Sequence, residues 1–126
     1  MKFNFLSESD QAYFIHKAST LVEALPYIRQ HSGETIVIKY GGHAMGDSKL
    51  SSSFAKDIGL LKEVGISPII VHGGGPQIGE RLKSKNISSK FVDGLRVTDK
   101  KTIKIVEEVL SKDINSEIVE SISSSG

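Results

Sequence analysis

The sequence predicts an α/β fold: helices layered on both sides of a mainly parallel sheet, α/β/α, with an extra helix ahead of the first strand. Two observations carry this. Ile36-Val37-Ile38-Lys39-Tyr40-Gly41-Gly42 and Ile69-Ile70-Val71-His72-Gly73-Gly74-Gly75-Pro76 repeat one design: a short β-branched run that stops at glycines, with helical periodicity soon after. Strand, helix and strand in that order form a βαβ unit, whose crossover is right-handed.

Residues 11 to 30 read as the extra helix. Ile15, Ala18, Val22, Leu25 and Ile28 recur at three- and four-residue steps. Pro26 interrupts the stripe, where a proline kinks or ends a helix, and Gly33 closes the segment. This helix lies outside the βαβ unit and reads either as an appendage or as a helix packed on its own domain.

Strand one is Thr35 to Lys39. A helix follows from about Lys49 to Val64, capped by Asp47 or Ser48, with Leu50, Phe54, Ile58 and Leu61 on its buried face and Gly65 just past its end. Strand two, Pro68 to His72, has no polar alternation before His72, which fits burial on both faces of a parallel sheet. Parallel strands end on one edge, so both glycine loops should lie side by side, where open α/β sheets bind ligands.

A third helix starts at Pro76, with Ile78 and Leu82 inward. Phe91 to Val97 reads as a hairpin turning at Asp93-Gly94. A long helix begins near Thr98 or Asp99, with Ile103, Val106, Leu110, Ile114 and Ile118 as its stripe and Ile122 as a candidate extension. Two strands and a hairpin cannot cover that many amphipathic faces. The expectation is therefore the first part of a larger domain; the alternative is a small complete domain with a Ser-Ser-Ser-Gly tail. The expected division is 1–32, a helical extension, and 33–126, an incomplete core.

Composition narrows the function. A net charge of +1 gives a nucleic-acid partner little electrostatic support. With no cysteine, disulfides and cysteine-ligated metals are out. No apolar run approaches the roughly 18 residues of a membrane span, and the first ten residues do not read as a signal peptide. A cytoplasmic protein is the expectation.

The loops point to anion chemistry. Glycines let backbone N–H groups approach an anion, and a helix start behind them adds partial positive charge. Lys39 ends strand one just before the first loop; it is either a solvated strand-end lysine or a group that stabilises a transferring phosphoryl. Gly41 to Ser48 nearly spells a P-loop, but Asp47 stands where the lysine belongs and would repel phosphate. The second loop fails the dinucleotide pattern, with Ile78 in place of the third glycine. His43 and His72 flank the loops without a zinc-like cluster and read as loop-supporting or substrate-adjacent groups. Arg96 is either an exposed arginine or a bidentate grip for a carboxylate. Arg81, Lys83, Lys85 and Lys90 read as a solvated helix end.

Together with Asp93-Gly94-Leu95-Arg96-Val97-Thr98, the two glycine motifs resemble those of the acetylglutamate kinases, of the amino-acid kinase fold, over about residues 11 to 126. The glycine motifs alone mark the wider superfamily of carbamate, uridylate and aspartate kinases; the Gly94 to Thr98 segment favours acetylglutamate kinase. The resemblance implies transfer of the ATP γ-phosphoryl, with Mg²⁺, to the side-chain carboxylate of N-acetyl-L-glutamate in arginine biosynthesis. It implies Lys39 as transition-state stabiliser, Gly41 and Gly42 as phosphoryl-binding amides, Gly74 and Gly75 as acetylglutamate binders, and Arg96 on the α-carboxylate. It also implies a homo-oligomer, a dimer or a hexamer interlaced by the N-terminal helix, with feedback inhibition by arginine. The family's second phosphate-binding lysine, its organising aspartate and a substrate-contacting asparagine have no counterpart here, so this chain alone is expected not to turn over. Another enzyme of the same fold and a non-catalytic anion-binding or assembly module are the competing readings.

Overall fold

The computed structural model describes residues 7–41 and 45–125. The first element, α1 (Glu8–His31), is capped by the Ser7 hydroxyl, which accepts from the Asp10 amide. Acidic Glu8 and Asp10 in its first turn and basic Arg29 and His31 in its last complement the helix dipole. Pro26 does not end this helix: the helix continues five residues beyond it, to His31, although proline offers no N–H to the preceding turn. No residue of α1 is buried. The expected stripe exists in sequence, but Ile15, Val22 and Leu25 are exposed.

The βαβ unit is present with the expected order. Strand β1 (Thr35–Tyr40) and strand β2 (Ser67–His72) pair in parallel, in a register running from Thr35 opposite Ser67 to Tyr40 opposite His72. Between them runs α2 (Ser48–Glu63), capped by Asp47, whose carboxylate accepts from the Lys49 and Leu50 amides. Gly65 comes next at φ +91°, in the left-handed region that favours glycine, and turns the chain into β2. A side chain there would also meet the Ser32 hydroxyl at 2.6 Å. The neighbouring Gly33 amide donates to the Gly65 carbonyl at 2.7 Å and joins the end of α1 to this turn.

Two packing expectations need correction. On α2 the buried residues are Ala55 and Ile58, while Leu50 stays 49% exposed; the small Ala55 side chain allows close approach at the contact. On β2 burial alternates, and Ile69 and Val71 are exposed together with Val37 of β1. One sheet face packs and the other is open among the described residues. An apolar strand without polar alternation signals two buried faces, and here only one has its cover.

The second packing centre is helical. Helix α3 (Gly75–Ser84) places Ile78 and Leu82 inward, as expected. Hairpin strands β3 (Phe91–Val92) and β4 (Leu95–Arg96) come after it, turning at Asp93 (φ 49°) and Gly94 (φ 78°). Positive φ at both central residues is the type I′ geometry that matches strand twist. The expected long helix is α4 (Lys100–Glu107), a π-helical segment (Glu108–Ile114) and α5 (Asn115–Ser123) in succession. Thr102 is buried on it, and Ile105, Val109 and Ile114 pack on Ile78 and Leu82. Ile103 is 49% exposed, so the expected stripe is out of phase in its first turns; Val106, Leu110 and Ile118 pack at its margin. Arg81 and Lys85 are not simply solvated: Arg81 bridges Asp113 at 2.8 Å and Glu108 at 4.0 Å, and Lys85 reaches Glu108 at 3.7 Å. No helix among the described residues is long and apolar enough to cross a membrane.

Candidate functional site

Both glycine loops leave the same edge of the sheet. Tyr40 stands opposite His72, and the Gly73 amide donates to the Tyr40 carbonyl at 3.1 Å, extending the pairing by one residue into the second loop. Gly41 lies close by: a Cβ on it would stand 3.9 Å from the Gly73 nitrogen. Gly42 and His43 lie outside the described residues. Strand alternation turns Tyr40 inward, where its ring stacks on Phe54 at 3.9 Å and its hydroxyl meets Ser51 at 2.9 Å. Lys39 therefore projects from the opposite, open face, the face of Val37 and Val71, and it is exposed.

The second loop ends in a helix start. Gly74 is the N-cap of α3 and offers no capping side chain. The first-turn amides of Gly75 and Gln77 have no acceptor within the helix, and Pro76 has no amide to satisfy. This leaves a short run of N–H groups with the positive end of the helix dipole behind them. The three glycines have different surroundings. Gly74 is buried, and a Cβ there would meet Ile114 Cδ1 and Leu110 Cδ2 at 2.6 Å each; Gly73 and Gly75 face open space.

The hairpin brings Arg96 to this loop. Phe91 and Arg96 are a cross-strand pair, and the guanidinium lies over the Phe91 ring at 4.7 Å. Arg96 Nη2 donates to the Gly75 carbonyl at 3.3 Å, and Nη1 donates to the Ser89 hydroxyl. Three contacts thus hold a half-buried arginine beside the start of α3. The structure brings together Gly41 with Gly73, and Gly75 with Arg96. The partners Ser89 and Phe91 carried no signal in the sequence beyond lying near Arg96. Among the described residues no cluster of three metal-ligating side chains is present.

A cavity of about 470 Å³ opens between α2, α3, the π segment and α5, with Tyr40, Phe54, Arg81 and Asp113 in its wall. It includes none of Lys39, Gly74, Gly75 or Arg96. The anion-directed groups and the cavity are separate features.

Residues 34–126 match the model of the amino acid kinase family. The chain is 55% identical over 121 residues to an acetylglutamate kinase of Novosphingobium aromaticivorans, covering 96% of this chain and 40% of that protein. It is 62% identical over 112 residues to the acetylglutamate kinase of Citrifermentans bemidjiense, covering 89% of this chain and 38% of that one. The chain thus spans about two fifths of the length of these relatives. Among solved structures, N-acetylglutamate synthase of Neisseria gonorrhoeae, complexed with coenzyme A and N-acetyl-glutamate, superimposes with a TM-score of 0.72 at 27% identity, over 86% of this chain and 25% of that one. The α/β alternation with its parallel strand pair fits the amino-acid kinase fold, and the chain, matched over residues 34–126, belongs to the amino acid kinase family.

Proposed function

We propose that this chain supplies the acetylglutamate-binding part of an acetylglutamate kinase. The observation that carries this reading is Arg96, fixed against the Gly75 carbonyl at the amide-rich start of α3. A fixed guanidinium beside free amides suits a ligand with carboxylate groups. Relatives with two different activities support the choice: one group consists of acetylglutamate kinases, and the solved synthase is complexed with N-acetyl-glutamate.

In this reading Arg96 holds the α-carboxylate, and the Gly74 and Gly75 amides bind the rest of N-acetyl-L-glutamate. The side-chain carboxylate then attacks the γ-phosphorus of ATP, and ADP leaves. Lys39 and the Gly41 and Gly42 amides neutralise charge that gathers on the transferring phosphoryl. Such transfer depends on positioning and charge stabilisation more than on covalent participation by the protein. Mg²⁺ would accompany ATP and screen its phosphates. The division at residues 32 and 33 gives α1 the role of an assembly element in a cytoplasmic homo-oligomer, with arginine as its feedback inhibitor.

Calorimetric titration of the 126-residue chain tests the ligand. N-acetyl-L-glutamate should bind, and Arg96→Ala should abolish the heat. Binding of aspartate or UMP in its place, or undiminished acetylglutamate binding by the variant, overturns the reading.

A further inference from the structure

His72 ends β2 immediately before the triple glycine, and both of its ring nitrogens have partners. Nδ1 lies 2.9 Å from the Gly73 carbonyl oxygen. Nε2 lies 3.5 Å from the Asn115 amide nitrogen, 43 residues further along the chain. A carbonyl oxygen only accepts, so Nδ1 must carry a proton. In the neutral ring Nε2 is then an acceptor, and the Asn115 amide is the donor that faces it. The two contacts select one tautomer and agree with each other.

Asn115 reaches this position through the π segment. Its own amide donates to the Leu110 carbonyl, five residues back, which is the π-helical spacing. The same segment sets the Leu110 and Ile114 side chains against Gly74. The glycine loop is therefore held from behind at two consecutive points: His72 and Gly73 by the Asn115 relay, and Gly74 by apolar contact.

We infer that Asn115 is a positioning residue that fixes the Nδ1–H tautomer of His72 and, through the Gly73 carbonyl, the orientation of the triple-glycine amides. The tautomer stands independently of the substrate; its purpose, presenting those amides to acetylglutamate, rests on the function proposed above. Neither residue need touch the ligand. The loop's peptide planes are what they control, and an N–H aimed at an anion loses much of its attraction when misaligned.

Nitrogen-detected NMR of the histidine rings tests this on the 126-residue chain without ligand. The expected spectrum shows His72 with a protonated Nδ1 and a proton-free Nε2. Asn115→Ala should yield a mixture of tautomers and move the Gly73, Gly74 and Gly75 amide resonances. Asn115→Asp replaces the donor with an acceptor of the same shape and should draw a proton onto Nε2. A His72 protonated at Nε2 in the unsubstituted chain overturns the inference, as does a spectrum unchanged by Asn115→Asp. A melting temperature that matches the unsubstituted chain separates the relay from loss of fold. If the tautomer is as expected but acetylglutamate moves none of the glycine amides, the relay stands and the acetylglutamate reading fails. If acetylglutamate moves them equally in the unsubstituted and Asn115→Ala chains, the positioning role is overturned.

Discussion

Gly74 and Ile114 are packed so closely that a single methyl on the glycine would lie 2.6 Å from the isoleucine Cδ1, with Leu110 Cδ2 equally near. The glycine φ of 170° lies outside the left-handed region, and the constraint on an added side chain is the space around it. Gly74→Ala should cost about 1–3 kcal/mol, the usual range for forcing a methylene into a packed site. Gly75→Ala meets nothing within 4 Å, and its stability should stay within about 0.5 kcal/mol of the unsubstituted chain. With acetylglutamate bound at this loop as proposed, the added methyl should lower its affinity. Urea melts and titrations of both variants check the contrast; equal destabilisation would mean that the two glycines do not differ as described.

Arg96 is held by a ring, a hydroxyl and a carbonyl at once. A lysine keeps the charge but lacks the planar fork and stacks poorly on Phe91. Arg96→Lys should therefore weaken acetylglutamate binding by about tenfold or more, equivalent to roughly 1.5–3 kcal/mol for a hydrogen bond to a charged group. The hairpin is exposed at Phe91, Val92 and Leu95, so global stability should barely change. Retention of full affinity by the lysine variant would show that charge alone suffices.

The parts of this fold that were legible are those set by local chemistry. Asp47 as a cap, Gly65 at positive φ and the Asp93-Gly94 turn each depend on one or two residues. The placement of both glycine loops on one edge came from parallel connectivity, and the Tyr40–His72 register bears it out. The long helix was harder, because Ile103, Ile105, Val106, Val109 and Leu110 supply two overlapping apolar sets. The choice between them is made by Ile78 and Leu82 across the contact, and the π segment then rephases α5. Asn115 was invisible for the same reason: its approach to His72 depends on that change of pitch. Of the two outcomes expected of Pro26, a kink or an end, the helix excludes the end, since it runs on to His31.

Asp99 provides a pH-dependent cap. Hydrogen bonds from the Thr102 amide and then the Thr102 hydroxyl favour its ionised form, and the Lys101 amide adds to them, so its pKa lies below the usual carboxylate range despite a smaller opposing effect of desolvation. A depressed folded pKa contributes stability that is complete above the unfolded pKa and is lost as pH falls through the folded one. Asp99→Asn keeps a capping oxygen but does not titrate. The stability difference between the unsubstituted chain and this variant should be constant near neutrality and shrink below about pH 4. Denaturant melts across that window check it, and a difference that grows in acid would contradict the cap geometry.

Helix α1 buries none of its residues, yet Tyr13, Phe14, Leu21, Val22 and Tyr27 are each more than half exposed on it. Isolated helices are marginal in water, and most helical stability in proteins comes from packing an apolar face. The proposed assembly role supplies that packing through a second copy of the helix. Val22→Glu combined with Leu25→Glu places two charges on the stripe without touching the sheet or the hairpin. The burial of a single such side chain is worth about 1.5–3 kcal/mol, so the double variant should lower the native mass seen in sedimentation and reduce helical signal. The open sheet face at Val37, Ile69 and Val71 is a second apolar surface suited to joining copies. An unchanged mass in the α1 variant, with a lower mass in Val37→Glu, would move the assembly contact from α1 to the sheet.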